Sequence, residues 1–155
     1  MRRPLIVAVA LAALLAGCGR DDGGTPAACL QGAGPYLEAL QDAPGAVRLA
    51  AETTIGSCLV EDQAAGQLSR VGLALVRAAT ELNASARADR GGAAGVRLGY
   101  LVGAVQSGAA QTGGIHTDLV RRVEAAAEFR PSGQAPAPAF EAAYRRGLAA
   151  GRAGG

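Results

Sequence analysis

Glycine or serine recurs at every fourth position from residue 91 to residue 107, as Gly91, Gly95, Gly99, Gly103 and Ser107. Residues at that spacing stack along one slowly drifting face of an α-helix. A helix over about 93–111 would therefore have a face almost bare of side chains, which another backbone could approach closely. Each interior glycine also costs about 1 kcal/mol relative to alanine, so this helix is the least able to stand alone. It requires a partner.

Three partners compete for that face. Close packing on the long helix just before it, inside one bundle, is favoured, because glycine is common throughout the chain and Arg97 interrupts the apolar character. A second copy of the chain, forming a homodimer through a two-fold helix pair, is the alternative. A bilayer fits least. The apolar stretch 98–105 is too short to span, and Arg97 within a span would cost about 2.5 kcal/mol or more.

The rest of the pattern is helical as well. No stretch shows sustained alternation rich in β-branched residues, so a sheet has no obvious source. A first helix opens at Gly34-Pro35 and carries Leu37 and Leu40 to a break at Asp42-Ala43-Pro44-Gly45. A second is expected after the break, with Val47, Ala51, Thr54, Ile55 and Cys58 on one face. Glu61 and Asp62 place negative charge at the start of a long third helix, marked by Leu68, Val71, Leu75, Ala79 and Leu82. After the glycine-rich fourth helix, Gly113-Gly114 introduces a fifth with Ile115, Leu119 and Val123, ending near Phe129. A sixth carries Phe140, Tyr144 and Leu148, and residues 151–155 are expected to form a disordered tail.

The N-terminus has another character. Arg2 and Arg3 precede an uncharged apolar run over 5–15, the order of an export signal, and the run is too short for a transmembrane helix. It ends in Leu15-Ala16-Gly17-Cys18, which resembles the bacterial lipoprotein lipobox. The resemblance implies removal of residues 1–17 and lipidation of Cys18, giving a lipoprotein tethered to the cell membrane or the outer membrane on its periplasmic or extracellular face. Two or more acyl chains would anchor stably where one holds only marginally. Residues 18–28, with Gly19, Asp21, Asp22, Gly23, Gly24 and Pro26, then read as a lipidated cysteine and polar tether before a helical domain over 29–150.

With Cys18 taken by lipid, Cys29 and Cys58 remain as an even pair. A disulfide is the natural reading in an oxidising compartment, and closing such a loop contributes about 3.5 kcal/mol in the chain-entropy model. The pair lacks the C-x-x-C spacing of redox dithiols, and a single histidine leaves no ligand set for a metal.

Composition narrows the function further. All fifteen basic residues are arginine, and removing Arg2 and Arg3 leaves thirteen against thirteen acids. Such a neutral domain has no basic footprint for nucleic acid, and its five aromatics offer no stacking platform. The absence of lysine excludes Schiff-base chemistry. Large apolar residues are sparse, so the core should be thin and rich in alanine and glycine.

His116 and Asp118 are the strongest candidates for acid–base chemistry, but residues two apart on a helix face different ways. An exposed helix-end histidine near a capping Thr112 or Thr117 is the simpler expectation. Ser57 and Ser69 lack a nucleophile-elbow context, and no Gly-Lys-Ser/Thr follows the diglycines. Asn83-Ala84-Ser85 matches a glycosylation sequon by accident. The sequence thus describes a single all-α bundle of five or six helices with one disulfide and no cofactor. Its expected role is a non-enzymatic interaction or structural module of the cell envelope, partnered by the membrane through its anchor and by itself or another envelope protein. A carrier of a small apolar ligand comes next, and an enzyme third.

Overall fold

A computed structural model describes residues 24–89, 92–128, 133 and 136–155. Five α-helices organise it: α1 Ala33–Ala39, α2 Ala65–Ala88, α3 Ala93–Ala110, α4 Thr117–Ala127 and α5 Pro138–Gly154. Short 3-10 turns cover Ala27–Leu30, Leu40–Asp42 and Gly56–Cys58, and no strand occurs among the described residues beyond an isolated Ala50–Thr53 bridge.

The centre is α3. Both of its flanks are buried, including Leu98, Tyr100, Leu101, Val102 and Val105, and this is the signature of a helix enclosed on all sides. Alanines such as Ala74, Ala78, Ala79, Ala86 and Ala104 fill much of the remaining core, as the composition implied. Along the chain α2, α3, α4 and α5 alternate in direction. Two parallel pairs result, because Gly72 and Asn83 of α2 meet Leu119 and Ala126 of α4 in that order, and successive glycines of α3 meet successive residues of α5.

The glycine face therefore packs inside the bundle, but on α5 rather than on the long preceding helix. A Cβ on Gly99 would fall on the Tyr144 carbonyl and 2.9 Å from the Leu148 nitrogen, and one on Gly103 would fall on the Leu148 carbonyl. The contact is reciprocal: a Cβ on Gly147 or Gly151 would meet the carbonyl of Val96 or Tyr100. Gly95 is looser, facing Ala143 and Phe140 side chains at 3.3 Å, and Ser107 donates to the Arg152 carbonyl at 3.2 Å. Gly91 lies outside the described residues.

Two further expectations, about where helices begin and end, need correction. The second helix is absent. Residues 43–64 form an irregular crossing with only the Gly56–Cys58 turn, although Val47, Ile55 and Cys58 are buried as their spacing implied. Pro44, Gly45 and Gly56 bracket a run containing β-branched Val47, Thr53, Thr54 and Ile55, and Ala51 takes a left-handed φ of 41°, which no helix continues through. The C-terminal segment departs in the other direction. Helix α5 reaches Gly154, Gly151 is buried against α3, and Gly56 nests between Gly155 and the Ala104 carbonyl, so residues 151–155 belong to the packed structure.

Candidate functional site

The proposed lipidation site Cys18 and the lipobox lie outside the described residues. Cys29 and Cys58 are fully buried and joined as a disulfide, with Cα atoms 5.5 Å apart. This bridge is one part of a polar clamp that fixes the start of the domain. Tyr36, fully buried on α1, donates its hydroxyl to the Cys29 carbonyl at 2.9 Å, and burial raises its pKa well above the ordinary phenol value.

Gln63 is the hub of the clamp. Its amide nitrogen donates to Thr25 Oγ1 at 2.6 Å and to the Cys58 carbonyl at 2.9 Å, so both amide hydrogens are used. The amide oxygen consequently faces His116 Nε2, 2.8 Å away. Nε2 must carry the proton.

His116 is thus not an exposed helix-end residue. It is fully buried just before α4, because the left-handed Gly113 and Gly114 (φ 59° and 93°) fold the chain back and turn the imidazole inward. Its Nδ1 lies 2.8 Å from Thr112 Oγ1, and that hydroxyl is also 2.8 Å from the Ala109 carbonyl. Burial lowers the pKa of His116 below its ordinary 6.5, so the neutral ring is the resting form. A neutral ring with Nε2–H offers Nδ1 as an acceptor, to which the Thr112 hydroxyl donates. The Ala109 carbonyl can release that hydroxyl because it also accepts from the Thr112 backbone N–H at 3.2 Å.

His116 and Asp118 do not converge. Asp118 is exposed on the first turn of α4 and pairs with Arg121 at 3.2 Å, both side chains more than two-thirds exposed. No group of three or more His, Cys, Asp or Glu side chains among the described residues could hold a metal ion. Ser57 is exposed and donates to the Thr54 carbonyl, and Ser69 is exposed on α2. The arrangement around His116 can hold the chain and sense protonation, but it presents no nucleophile to a substrate.

Besides Thr25 and Gln63, two more polar groups escaped the sequence reading. Asn83 donates to the Ala126 and Glu128 carbonyls at 2.8 and 3.0 Å, closing the C-terminal end of α4, where helix carbonyls otherwise lack partners. Tyr100, on the central helix, buries its hydroxyl without a hydrogen bond of good geometry. Burial raises its pKa, outweighing the nearby Val47 backbone and Arg48 charge, which favour the ionised form. Neither carries a sequence signal, since each belongs to an ordinary helical period.

A shallow groove of about 380 Å³ opens between α3 and α4 beside the diglycine turn, lined by Ala109, Ala110, Gly114 and Val120 with Gln106, Thr117 and Arg121. No helix among the described residues is long and apolar enough to cross a membrane. No known protein family, characterised protein or solved structure matches the chain.

Proposed function

We propose that this chain is an exported lipoprotein, anchored through Cys18, whose helical domain serves the cell envelope as a non-enzymatic interaction or structural module. The observation that carries the reading is the cysteine arithmetic. Cys29 and Cys58 bond to each other within the core, which suits an oxidising compartment, and the remaining cysteine stands at the end of Leu15-Ala16-Gly17-Cys18. The glycine face no longer supports self-association, because α5 covers it. An interaction must use another surface.

The anchor is testable in a bacterial host. The full chain should partition into the membrane fraction, and the N-terminal peptide should begin at Cys18 with the mass of a diacylglyceryl group. Cys18→Ala should accumulate as an uncleaved, unlipidated precursor. Recovery of Cys18 as a free thiol on a soluble, processed chain would defeat the proposal.

The α3–α4 groove favours a second reading, a binder of small apolar ligands. It is open and shallow, and such a site should raise the melting temperature with its ligand. A lipid and metabolite panel that leaves melting unchanged would set that reading aside.

A further inference from the structure

The first described residues and the α3–α4 turn sit at one end of the bundle, because one side-chain amide joins them. Gln63 bonds Thr25 with its nitrogen and faces His116 with its oxygen. Immediately before His116, the turn presents Ile115, 47% exposed and one of two large hydrophobic side chains exposed among the described residues, the other being Leu73. Gly113 and Gly114 precede it without side chains to shield it, and Gly114 also lines the apolar groove. The exposed isoleucine thus stands beside the mouth of a groove whose apolar lining is Ala109, Ala110 and Val120, with Gln106, Thr117 and Arg121 at its polar margin.

We propose that this end, centred on Ile115, rests on the surface of the bilayer that holds the Cys18 anchor. The inference depends on the lipid-anchor reading. Seven residue steps separate Cys18 from Thr25, a reach of at most about 25 Å. A flexible chain of seven residues typically spans only about 15 Å, less than half the roughly 36 Å width of a domain whose radius of gyration is about 14 Å, so the Thr25 half of the domain faces the membrane most of the time. A single isoleucine beside a shallow groove would not hold a free domain on lipid. Tethering raises its effective concentration into the millimolar range, where a weak contact is populated.

The contact is apolar rather than electrostatic. Glu61 approaches Gly113, and Asp62 and Asp118 are exposed near the same turn, which opposes attraction to anionic headgroups, while Arg121 supplies one compensating cation paired with Asp118. Binding should persist in high salt and be stronger on zwitterionic than on anionic lipid.

The test uses the lipidated full chain in phosphatidylethanolamine–phosphatidylcholine vesicles that contain lipids brominated near the interface. A fluorophore is placed on Gln111→Cys at the proposed contact, or on Ala88→Cys at the far end of α2, about 36 Å along that helix. Quenching at 111 should exceed that at 88 by about threefold or more. Ile115→Ser should at least halve the quenching at 111, without changing the far-UV circular dichroism or the melting temperature.

Equal quenching at both positions, as expected if a protein rather than lipid fills the groove, overturns the proposal. So does quenching at 111 that ignores Ile115→Ser. Flotation and the intact mass, measured on the same samples, separate the two failures. A chain without lipid on Cys18 refutes the anchor, and the orientation with it. A lipidated, floated chain with even quenching refutes the orientation alone.

Discussion

Adding one methyl group to successive glycines should change stability with a sign that depends on what the methyl meets. Gly99→Ala removes the conformational disadvantage of glycine, worth about 1 kcal/mol in a helix interior. Against this gain, the new Cβ falls on the Tyr144 carbonyl oxygen and 2.9 Å from the Leu148 nitrogen. Backbone atoms cannot rotate aside, so α3 and α5 must move apart along their shared length. Overpacking of this kind costs about 1–3 kcal/mol and occasionally more, and the separated helices also lose dispersion contacts. The expected net loss is about 2 kcal/mol. Gly147→Ala, facing the Val96 carbonyl, should behave the same way. At Gly95 the neighbours are Ala143 and the ring of Phe140 at 3.3 Å, and a ring can yield, so the change should lie within about 0.5 kcal/mol of zero. Gly66 on α2 has nothing within 4 Å, and Gly66→Ala should stabilise by up to about 1 kcal/mol. Urea unfolding of residues 19–155, followed by circular dichroism with the disulfide intact, measures the series. With a denaturant slope of about 1.5 kcal/mol/M, the Gly66→Ala and Gly99→Ala midpoints should stand about 2 M apart. A Gly99→Ala midpoint at or above the parent's would refute the close α3–α5 contact.

Three further outcomes follow from the buried polar groups. His116 has a folded pKa below its unfolded value of 6.5, so its burial as a neutral ring supports stability above that pH; acidification below it should destabilise the parent more than His116→Gln, and parallel pH profiles from 7.5 to 5 would contradict the assignment. Tyr100→Phe removes a buried hydroxyl that lacks a good partner and should be neutral or stabilising by up to about 1 kcal/mol in the same urea assay; a loss above about 1.5 kcal/mol would mean that the hydroxyl is satisfied. Asn83→Ala strips donors from the Ala126 and Glu128 carbonyls and should cost about 2 kcal/mol, with amide exchange quickening first in the last turn of α4; unchanged exchange there would remove Asn83 from its capping role.

The sequence spoke most clearly where one short-range rule governs a whole segment. The apolar period of α2 and the bare face of α3 each require a helix, and the even cysteine pair required a bond. The partner of that face was less legible. Ala143, Gly147, Gly151 and Gly155 repeat the same four-residue step, but the run lies beside Gly154 near the chain end, where glycine also signals fraying. Only the facing carbonyls of α3 distinguish a packing face from a loose tail. The segment 43–64 misled for a related reason. A few buried residues at helical spacing also arise when an irregular chain dips repeatedly into a core, and Val47, Ile55 and Cys58 do so without helical hydrogen bonds. His116 was hidden because its burial depends on Gln63, 53 residues away, and on the left-handed diglycine that turns the ring inward.

That remote pairing also explains why a domain with so thin a core can hold its first third in place. Residues 43–64 have little regular structure, and their backbone hydrogen bonds are mostly local turns, such as Thr53 to Ala50 and Leu59 to Gly56. The crossing buries few large apolar side chains, chiefly Val47, Ile55 and Leu59, while every residue in it must give up backbone freedom. Something else must confine the segment. The disulfide restricts the unfolded chain by closing a 29-residue separation, worth about 3.5 kcal/mol, and acts just where Gln63 ties Thr25, the Cys58 carbonyl and His116 together. A pull from the proposed anchor at Cys18 would enter the domain through Thr25 and Cys29. It would pass at once to Cys58 and Gln63 rather than along the irregular crossing, so the same clamp that compensates for a small core also suits a domain held by its N-terminus.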